Sequence, residues 1–155
     1  MIQLYRPALQ ELSFRKTLLA DPATMAYNAA WGGTIDFPED RWETWYRNWV
    51  DSPADIRFYR YLYDTEKQIP VGEAAWHREE ESGRYLCDVI VHARFRNCGY
   101  GTAGLQLLCS AAKENGIAVL YDRIAADNPS LQLFLKNGFV IEAQDETAVL
   151  VRRVL

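Results

Sequence analysis

The segment from Val89 to Gly104 has residue types and spacing suited to ligand binding, since an apolar strand leads into a basic loop and then into glycines that open a helix. Gly99 and Gly101 lack side chains where a backbone would have to approach a ligand, and the helix start offers free N–H groups. Arg94 and Arg96 add positive charge beside these groups. The pattern predicts a cradle for a phosphate or pyrophosphate. The alternative is a glycine-eased turn with solvated arginines.

The same glycines fit a second pattern. Gly99, Gly101 and Gly104 form the G-x-G-x-x-G fingerprint of dinucleotide-binding proteins, and Asp122 follows about twenty residues later. In that fingerprint the glycines follow a strand almost at once, whereas seven residues separate Val91 from Gly99. Too little chain follows for the βαβαβ unit that the fingerprint opens. An NAD-binding oxidoreductase is therefore the less favoured interpretation.

Two segments resemble motifs of the GCN5-related N-acetyltransferase (GNAT) family. Residues 96–101, RNCGYG, are similar to its R/Q-x-x-G-x-G/A loop, which holds the pyrophosphate of acetyl-CoA. Residues 127–139, DNPSLQLFLKNGF, are similar to its N-x-x-A/S-x-x-L-Y-x-x-x-G-F segment. The resemblance implies acetyl-CoA as co-substrate and transfer of the acetyl group to a primary amine, by direct attack of the amine on the thioester.

The resemblance also implies which residues contact acetyl-CoA. Val89, Ile90 and Val91 stand where the family's bulged strand bonds the pantetheine and where a backbone N–H near Val91 would stabilise the thioester oxygen. The loop, the first helical turn and the second motif supply the other predicted contacts, which are Arg96, Asn97, Cys98, Gly99, Tyr100, Gly101, Thr102, Asn128 and Phe134.

The second motif departs from the family pattern at two positions. The family's asparagine falls at Asp127, with Asn128 beside it, so the pantetheine contact shifts by one residue. The family's frequent tyrosine, a proton donor to the leaving thiolate, falls at Phe134, whose ring has no proton to give. A non-catalytic acyl-CoA-binding or sensor module of the same fold therefore stays open as an alternative.

Acetyl transfer to an amine also needs a base, because an alkylammonium with a pKa of about 10 must lose a proton before it can attack. Asp122, on the strand after the loop helix, matches an acidic position that serves as base in some relatives. Glu73, in the strand from Val71 to His77, is the second candidate. Either acid could instead belong to a salt bridge. Asp88 is less suited, because in a period-two strand it faces away from Cys87 and Val89.

The acceptor pocket is predicted before the second helix. Tyr27, Trp31 and Asp36 lie in a glycine-containing loop that borders the acceptor pocket in the resembled family, although a purely structural loop is an equal alternative. The helix from Pro38 to about Val50 carries tryptophans on one face, which predicts core packing. They are Trp42, Trp45 and Trp49.

The elements that must position these residues follow the order β-α-α-β-β-β-α-β-α-β-β. This order alternates too irregularly for a doubly wound parallel sheet, so we expect an α/β fold with a mixed sheet and helices on both faces. Residues 1–155 show no linker or internal repeat, which predicts a single N-acetyltransferase domain.

Composition excludes several classes of protein. The net charge of −4 leaves no broad basic face for nucleic acid, and the longest apolar runs are far short of a membrane span. Three cysteines without a C-x-x-C pair indicate reduced thiols of a cytoplasmic protein, and two histidines argue against a metal site. The expected partner is a small-molecule or peptide amine. A homodimer, in which the partner is a second copy of the chain, also stays open.

Overall fold

The computed structural model describes all 155 residues. Its elements in chain order are β1 (Ile2–Tyr5), α1 (Leu12–Ala20), α2 (Trp42–Trp49), β2 (Arg57–Asp64), β3 (Ile69–Arg78), β4 (Tyr85–Val91), α3 (Tyr100–Glu114), β5 (Val119–Ala125), α4 (Ser130–Lys136), β6 (Val140–Gln144) and β7 (Ala148–Val154). Four 3-10 helices also occur, over Leu9–Glu11, Thr24–Trp31, Glu39–Arg41 and Ala93–Phe95. The α-helices and strands follow the predicted order, and the mixed α/β fold is confirmed.

The seven strands form one sheet in the order β1-β2-β3-β4-β5-β7-β6. All neighbours are antiparallel except β4 and β5, which run parallel and pair only through Tyr85 with Leu120 and Leu86 with Tyr121. On its other side β4 pairs with β3 along its whole length. A gap therefore opens in the middle of the sheet between residues 87–91 of β4 and residues 122–125 of β5. We call it the β4–β5 gap.

The backbone of β4 points unpaired groups into this gap. The His92 N–H donates to the Val71 carbonyl at 2.9 Å, which sets the phase of the β3–β4 ladder. Because hydrogen-bonded pairs alternate along an antiparallel ladder, Ile90 uses its N–H and C=O on β3. Val89 and Val91 direct theirs to the opposite side, where pairing with β5 has ended. The predicted backbone contacts are thus available at Val89 and Val91 but not at Ile90.

One face of the sheet is covered by α3 and α4. The largest core cluster lies there and includes Leu62, Trp76, Leu105, Leu108 and Phe134, all at most 2% exposed. A Cβ at Gly104 would lie 2.6 Å from Leu62 Cδ1, so the glycine lets α3 approach β2 closely. None of the four α-helices has the length and apolar character needed to cross a bilayer.

The opposite face packs against α1 and α2, and the 3-10 helix Thr24–Trp31 packs against α1. Trp42 is buried and stacks on Phe37, while Trp45 meets Tyr59 edge-on with ring centroids 4.7 Å apart. Core packing of the tryptophan face is therefore confirmed at these two residues. The predicted helix from Pro38 becomes α-helical only at Trp42, because a 3-10 turn occupies Glu39–Arg41.

Candidate active site

The loop between β4 and α3 reverses direction through left-handed backbone conformations. Asn97 has φ 63° and Gly99 has φ 81°, and Gly99 is the residue that caps the start of α3. Glycine adopts this conformation without strain, and asparagine tolerates it better than most residues. A Cβ at Gly99 would meet no atom within 4 Å, so the backbone there borders open space. The first amides of α3 have no acceptor within the helix and face this space.

Gly101 places the start of α3 against the end of β4. A Cβ at this position would lie 3.2 Å from Leu133 Cδ2 and 3.9 Å from Val91 Cγ2. The free amides at the N-terminus of α3 therefore lie beside the β4–β5 gap, into which Val91 directs its N–H. Such an arrangement can hold an anionic group at the helix and an extended chain along β4.

Side chains of the predicted loop contacts are held by the protein itself. Arg96 Nη2 donates to the Thr24 carbonyl at 3.1 Å, and the Cys98 thiol lies 3.5 Å from the Arg96 carbonyl. The Tyr100 hydroxyl donates to Asp64 Oδ2 at 2.5 Å, a bond that raises the pKa of Tyr100 to about 12. Thr102 is exposed in the first turn of α3. The loop is therefore fastened at several points before any ligand arrives.

Glu73 lies on β3, on the face of the sheet that α1 covers, and its carboxylate already has partners within the protein. It is 3% exposed, it accepts a hydrogen bond from the Tyr59 hydroxyl at 3.0 Å, and its Oε1 lies 3.8 Å from Arg15 Nε. The Arg15 guanidinium lies over the Trp45 ring, 4.2 Å from its centroid. Because of these partners Glu73 is a fixed part of the α1–sheet contact, and the buried Arg15 Nε itself lacks a hydrogen-bond partner.

Asp88 is an acid that the strand pattern alone placed away from the site. It does face away from Cys87 and Val89, but that face also carries Glu73, because Asp88 pairs with Ala75, two residues along β3. The residue is exposed at the surface, and desolvation by the surrounding protein together with the Glu73 charge raises the pKa of its carboxyl to about 7. The signal that would have identified Asp88 is the pairing of β3 with β4, which a strand pattern does not contain.

Asp122 stands where the pairing of β4 with β5 ends. It shares a face of β5 with the core residues Leu120 and Ile124, so it points to the side of α3 and α4. The residue is half-buried, and desolvation followed by the charge of Asp88 raises its pKa well above the ordinary value. The gap is therefore flanked by two carboxyl groups on opposite faces of the sheet, both of which hold protons more tightly than usual.

The predicted acceptor residues separate into two groups. Tyr27 is 39% exposed, and burial followed by the charges of Asp88 and Glu73 raises its pKa. Trp31 is 72% exposed, Asp36 is exposed, and neither makes a hydrogen bond, ion pair or ring contact with another side chain.

The second motif contributes packing and capping. Phe134 is 2% exposed and meets Phe139 edge-on, with centroids 4.9 Å apart, so its side chain belongs to the core. Asn128 Oδ1 accepts a hydrogen bond at 3.0 Å from the N–H of Ser130, the first residue of α4. No group of three or more His, Cys, Asp or Glu side chains is arranged to hold a metal ion.

Comparison with known proteins adds a family and a set of similar folds. The model of the acetyltransferase (GNAT) family matches residues 22–139. A search of curated protein sequences finds no significant match. The GNAT-family acetyltransferase of Streptococcus pneumoniae superposes with a TM-score of 0.80 at 14% identity, and the alignment covers 100% of both chains.

Two further solved structures contain the coenzyme. The PaiA N-acetyltransferase of Thermoplasma acidophilum, in complex with coenzyme A, gives a TM-score of 0.74 at 12% identity over 100% of this chain and 99% of that one. The proposed acetyltransferase YncA of Salmonella typhimurium, with its cofactor acetyl-CoA, gives 0.75 at 16% identity over 100% and 94%. At these identities the likeness shows a shared fold.

Proposed function

Since the chain belongs to the GNAT family of acetyltransferases, with the family model spanning residues 22–139, we propose that it transfers the acetyl group of acetyl-CoA to a primary amine of a small molecule or peptide. The observation that carries this proposal is the β4–β5 gap. Unpaired backbone groups of β4, the N-terminus of α3 and two carboxyl groups all border it.

The protein groups at the gap suit the parts of acetyl-CoA. The N–H groups at the start of α3, with Gly99 and Gly101 leaving room, would bind the pyrophosphate, and Arg94 and Arg96 would add positive charge. The free N–H and C=O groups of β4 would bond the amides of the pantetheine as a neighbouring strand would. The Val91 N–H would then stabilise the negative charge that develops on the thioester oxygen.

We assign the role of base to Asp88. The carboxyl faces the side of the sheet on which Tyr27 lies, and its pKa of about 7 makes it a proton acceptor above neutral pH. It would take a proton from the ammonium group so that the nitrogen lone pair can attack the thioester carbon. The new nitrogen–carbon bond replaces the carbon–sulfur bond, and the nitrogen then loses its second proton to water. Glu73, engaged with Tyr59, would act by keeping the pKa of Asp88 high.

Asp122 lies on the other face and would supply the proton that Phe134 cannot. Burial raises the pKa of Asp122 well above its ordinary value, which favours the protonated form that would donate to the departing CoA thiolate. The role of base predicted for Asp122 from the sequence is the alternative assignment. Asp88→Asn and Asp122→Asn separate the two, since only loss of the base is offset when rising pH supplies free amine.

The proposal is tested by measuring thiol release from acetyl-CoA over a panel of primary amines, alongside thermal shifts with CoA and with NAD. We expect CoA to raise Tm, NAD to leave it unchanged, and at least one amine to accelerate thiol release. Ligand at 100 times its Kd adds about 2.7 kcal/mol of stability. A shift with NAD alone would contradict the proposal. A CoA shift without turnover of any amine would instead support the acyl-CoA-binding module that Phe134 leaves open.

A further inference from the structure

Thr24 is a buried residue that joins two segments of the site. The residue is 0% exposed. Its hydroxyl donates a hydrogen bond to Asp21 Oδ2 at 2.5 Å and accepts one from the Ala93 N–H at 2.9 Å. Its carbonyl accepts from Arg96 Nη2 at 3.1 Å. His92 Nε2 lies 3.7 Å from the same Asp21 oxygen. Three groups of the β4–α3 loop thus converge on Thr24 and its partner Asp21.

The two joined segments have different roles in the site. Thr24 begins the 3-10 helix that carries Tyr27, the candidate acceptor residue, and this helix packs against α1. Ala93 and Arg96 belong to the loop that leads to the anion-binding start of α3. Every hydrogen bond between residues 21–36 and this loop involves Thr24. The two segments are therefore hydrogen-bonded to each other through Thr24, and the contact of His92 with Asp21 lies beside these bonds.

We propose that Thr24 is a positioning residue that couples the coenzyme loop to the 3-10 helix Thr24–Trp31, so that CoA binding orders the helix that faces the acceptor. The inference rests on the proposed coenzyme site. Arg96 commits one of its five N–H donors to the Thr24 carbonyl and keeps others for a phosphate. A bound phosphate would therefore restrain the loop that carries Arg96 and Ala93, and the bond from the Ala93 N–H to the Thr24 hydroxyl would carry this restraint to the 3-10 helix. Coupling between two binding sites is reciprocal, so an ordered 3-10 helix would also strengthen CoA binding.

Two substitutions each remove the hydrogen bond from the Ala93 N–H to the Thr24 hydroxyl, one by changing the acceptor and the other by changing the donor. Thr24→Val keeps the shape of the side chain and removes the hydroxyl. Ala93→Pro removes the N–H donor, at the first position of a short helix where proline fits. The preceding residue, His92, already has φ −57° and ψ 136°, the extended conformation that proline requires before it. Thr24→Ser keeps the hydroxyl and is the matched control.

The readout is hydrogen exchange of the backbone amides of residues 25–31, measured with and without saturating CoA. In the wild type and in Thr24→Ser we expect CoA to slow this exchange about 5-fold or more, the lower end of ordinary coupling between sites. In Thr24→Val and in Ala93→Pro we expect CoA still to raise Tm, but the slowing at residues 25–31 to be lost. The double variant should lose no more than Thr24→Val alone, because the bond between Ala93 and Thr24 is already absent from that variant.

Equal CoA-dependent slowing in Thr24→Val and the wild type would overturn the coupling. Should Thr24→Val not fold, the same comparison of CoA-dependent exchange is made between Ala93→Pro and the wild type. In both cases the exchange of α3 amides serves as the internal reference. A wild type that shows no thermal shift with CoA would contradict the proposed coenzyme site, and the coupling with it. A shift with CoA but no slowing at residues 25–31 would overturn the coupling alone.

Discussion

At the scale of single residues, the environment gives the acids of the site different properties. Glu73 is surrounded by Tyr59 and Arg15, which hold it in place within the sheet contact. Asp88 has no ion-pair partner, and the charge of Glu73 combines with a dense surrounding to raise its pKa to about 7. A carboxyl with a pKa close to the working pH is an efficient proton acceptor.

The first prediction concerns the role of Asp88 in proton transfer. Asp88→Asn should lower kcat by about 10²–10⁴-fold, the range of general base catalysis. In the wild type kcat/KM should rise as pH passes through about 7, because Asp88 becomes a base only when it loses its proton. In the variant the rise near pH 7 should be lost, and the rate should instead rise with the fraction of free amine, whose pKa is about 10. The measurement is a pH–rate profile for any amine that is turned over, with the exposed acid variant Glu81→Gln as the control.

The same substitution has an effect on stability with a defined sign. A pKa that is higher in the folded state than in the unfolded state, where it is about 3.9, means that folding loses stability as pH rises from about 4 to 7. Asp88→Asn should therefore raise Tm at pH 8 and raise it less at pH 5. An identical Tm change at both values would show that Asp88 has an ordinary pKa and would remove it as the base.

At the scale of elements, two glycines within one turn of α3 have different neighbours. Gly101 faces Leu133 and Val91 at the edge of the β4–β5 gap, whereas Gly104 is buried against Leu62. The first glycine is placed to admit a ligand and the second to admit a strand.

We predict opposite effects for alanine at these two positions. Gly104→Ala forces a Cβ within 2.6 Å of Leu62 and should lower stability by about 1–3 kcal/mol, with each kcal/mol worth about 2–4 °C of Tm. Gly101→Ala has a milder contact at 3.2 Å, partly offset by the better helix propensity of alanine, so its Tm without ligand should change little. CoA should stabilise Gly104→Ala as much as wild type and Gly101→Ala markedly less. Equal thermal shifts with CoA in both variants would place the coenzyme away from α3.

At the scale of the whole molecule, the net charge of −4 favours a cationic acceptor. The exposed Asp36, Glu39 and Asp40 lie between the 3-10 helix Thr24–Trp31 and α2, and Trp31 adds an exposed aromatic face. An ammonium group gains about 0.5–1 kcal/mol against such a face at an exposed site.

The fourth prediction follows from this charge. For an amine with a second positive group, kcat/KM should fall as salt rises, because the Debye length shrinks from about 30 Å at 0.01 M to about 8 Å at 0.15 M. The matched control is the same amine with a neutral group in place of the second charge, for which the fall should be smaller. Equal salt profiles for the two amines, with KM unchanged in Asp36→Asn and Trp31→Ala, would place the acceptor outside this segment.

The element order could be predicted from the sequence because its causes are local. Strand alternation, helix periodicity and the glycines at 99 and 101 act between residues that are neighbours along the chain, so the helices and strands occur in the predicted order. The resemblance to the GNAT family depends on the same short segments.

The roles of the acids and the link through Thr24 are decided only by tertiary structure. The gap exists because β4 and β5 stop pairing at Leu86, and these strands are separated along the chain by a whole helix. The pKa of Asp88 depends on Glu73, which belongs to another strand, and Thr24 meets Ala93 across 69 residues. Desolvation, charge and hydrogen bonding act through space, so no spacing along the chain could specify which of these residues would meet.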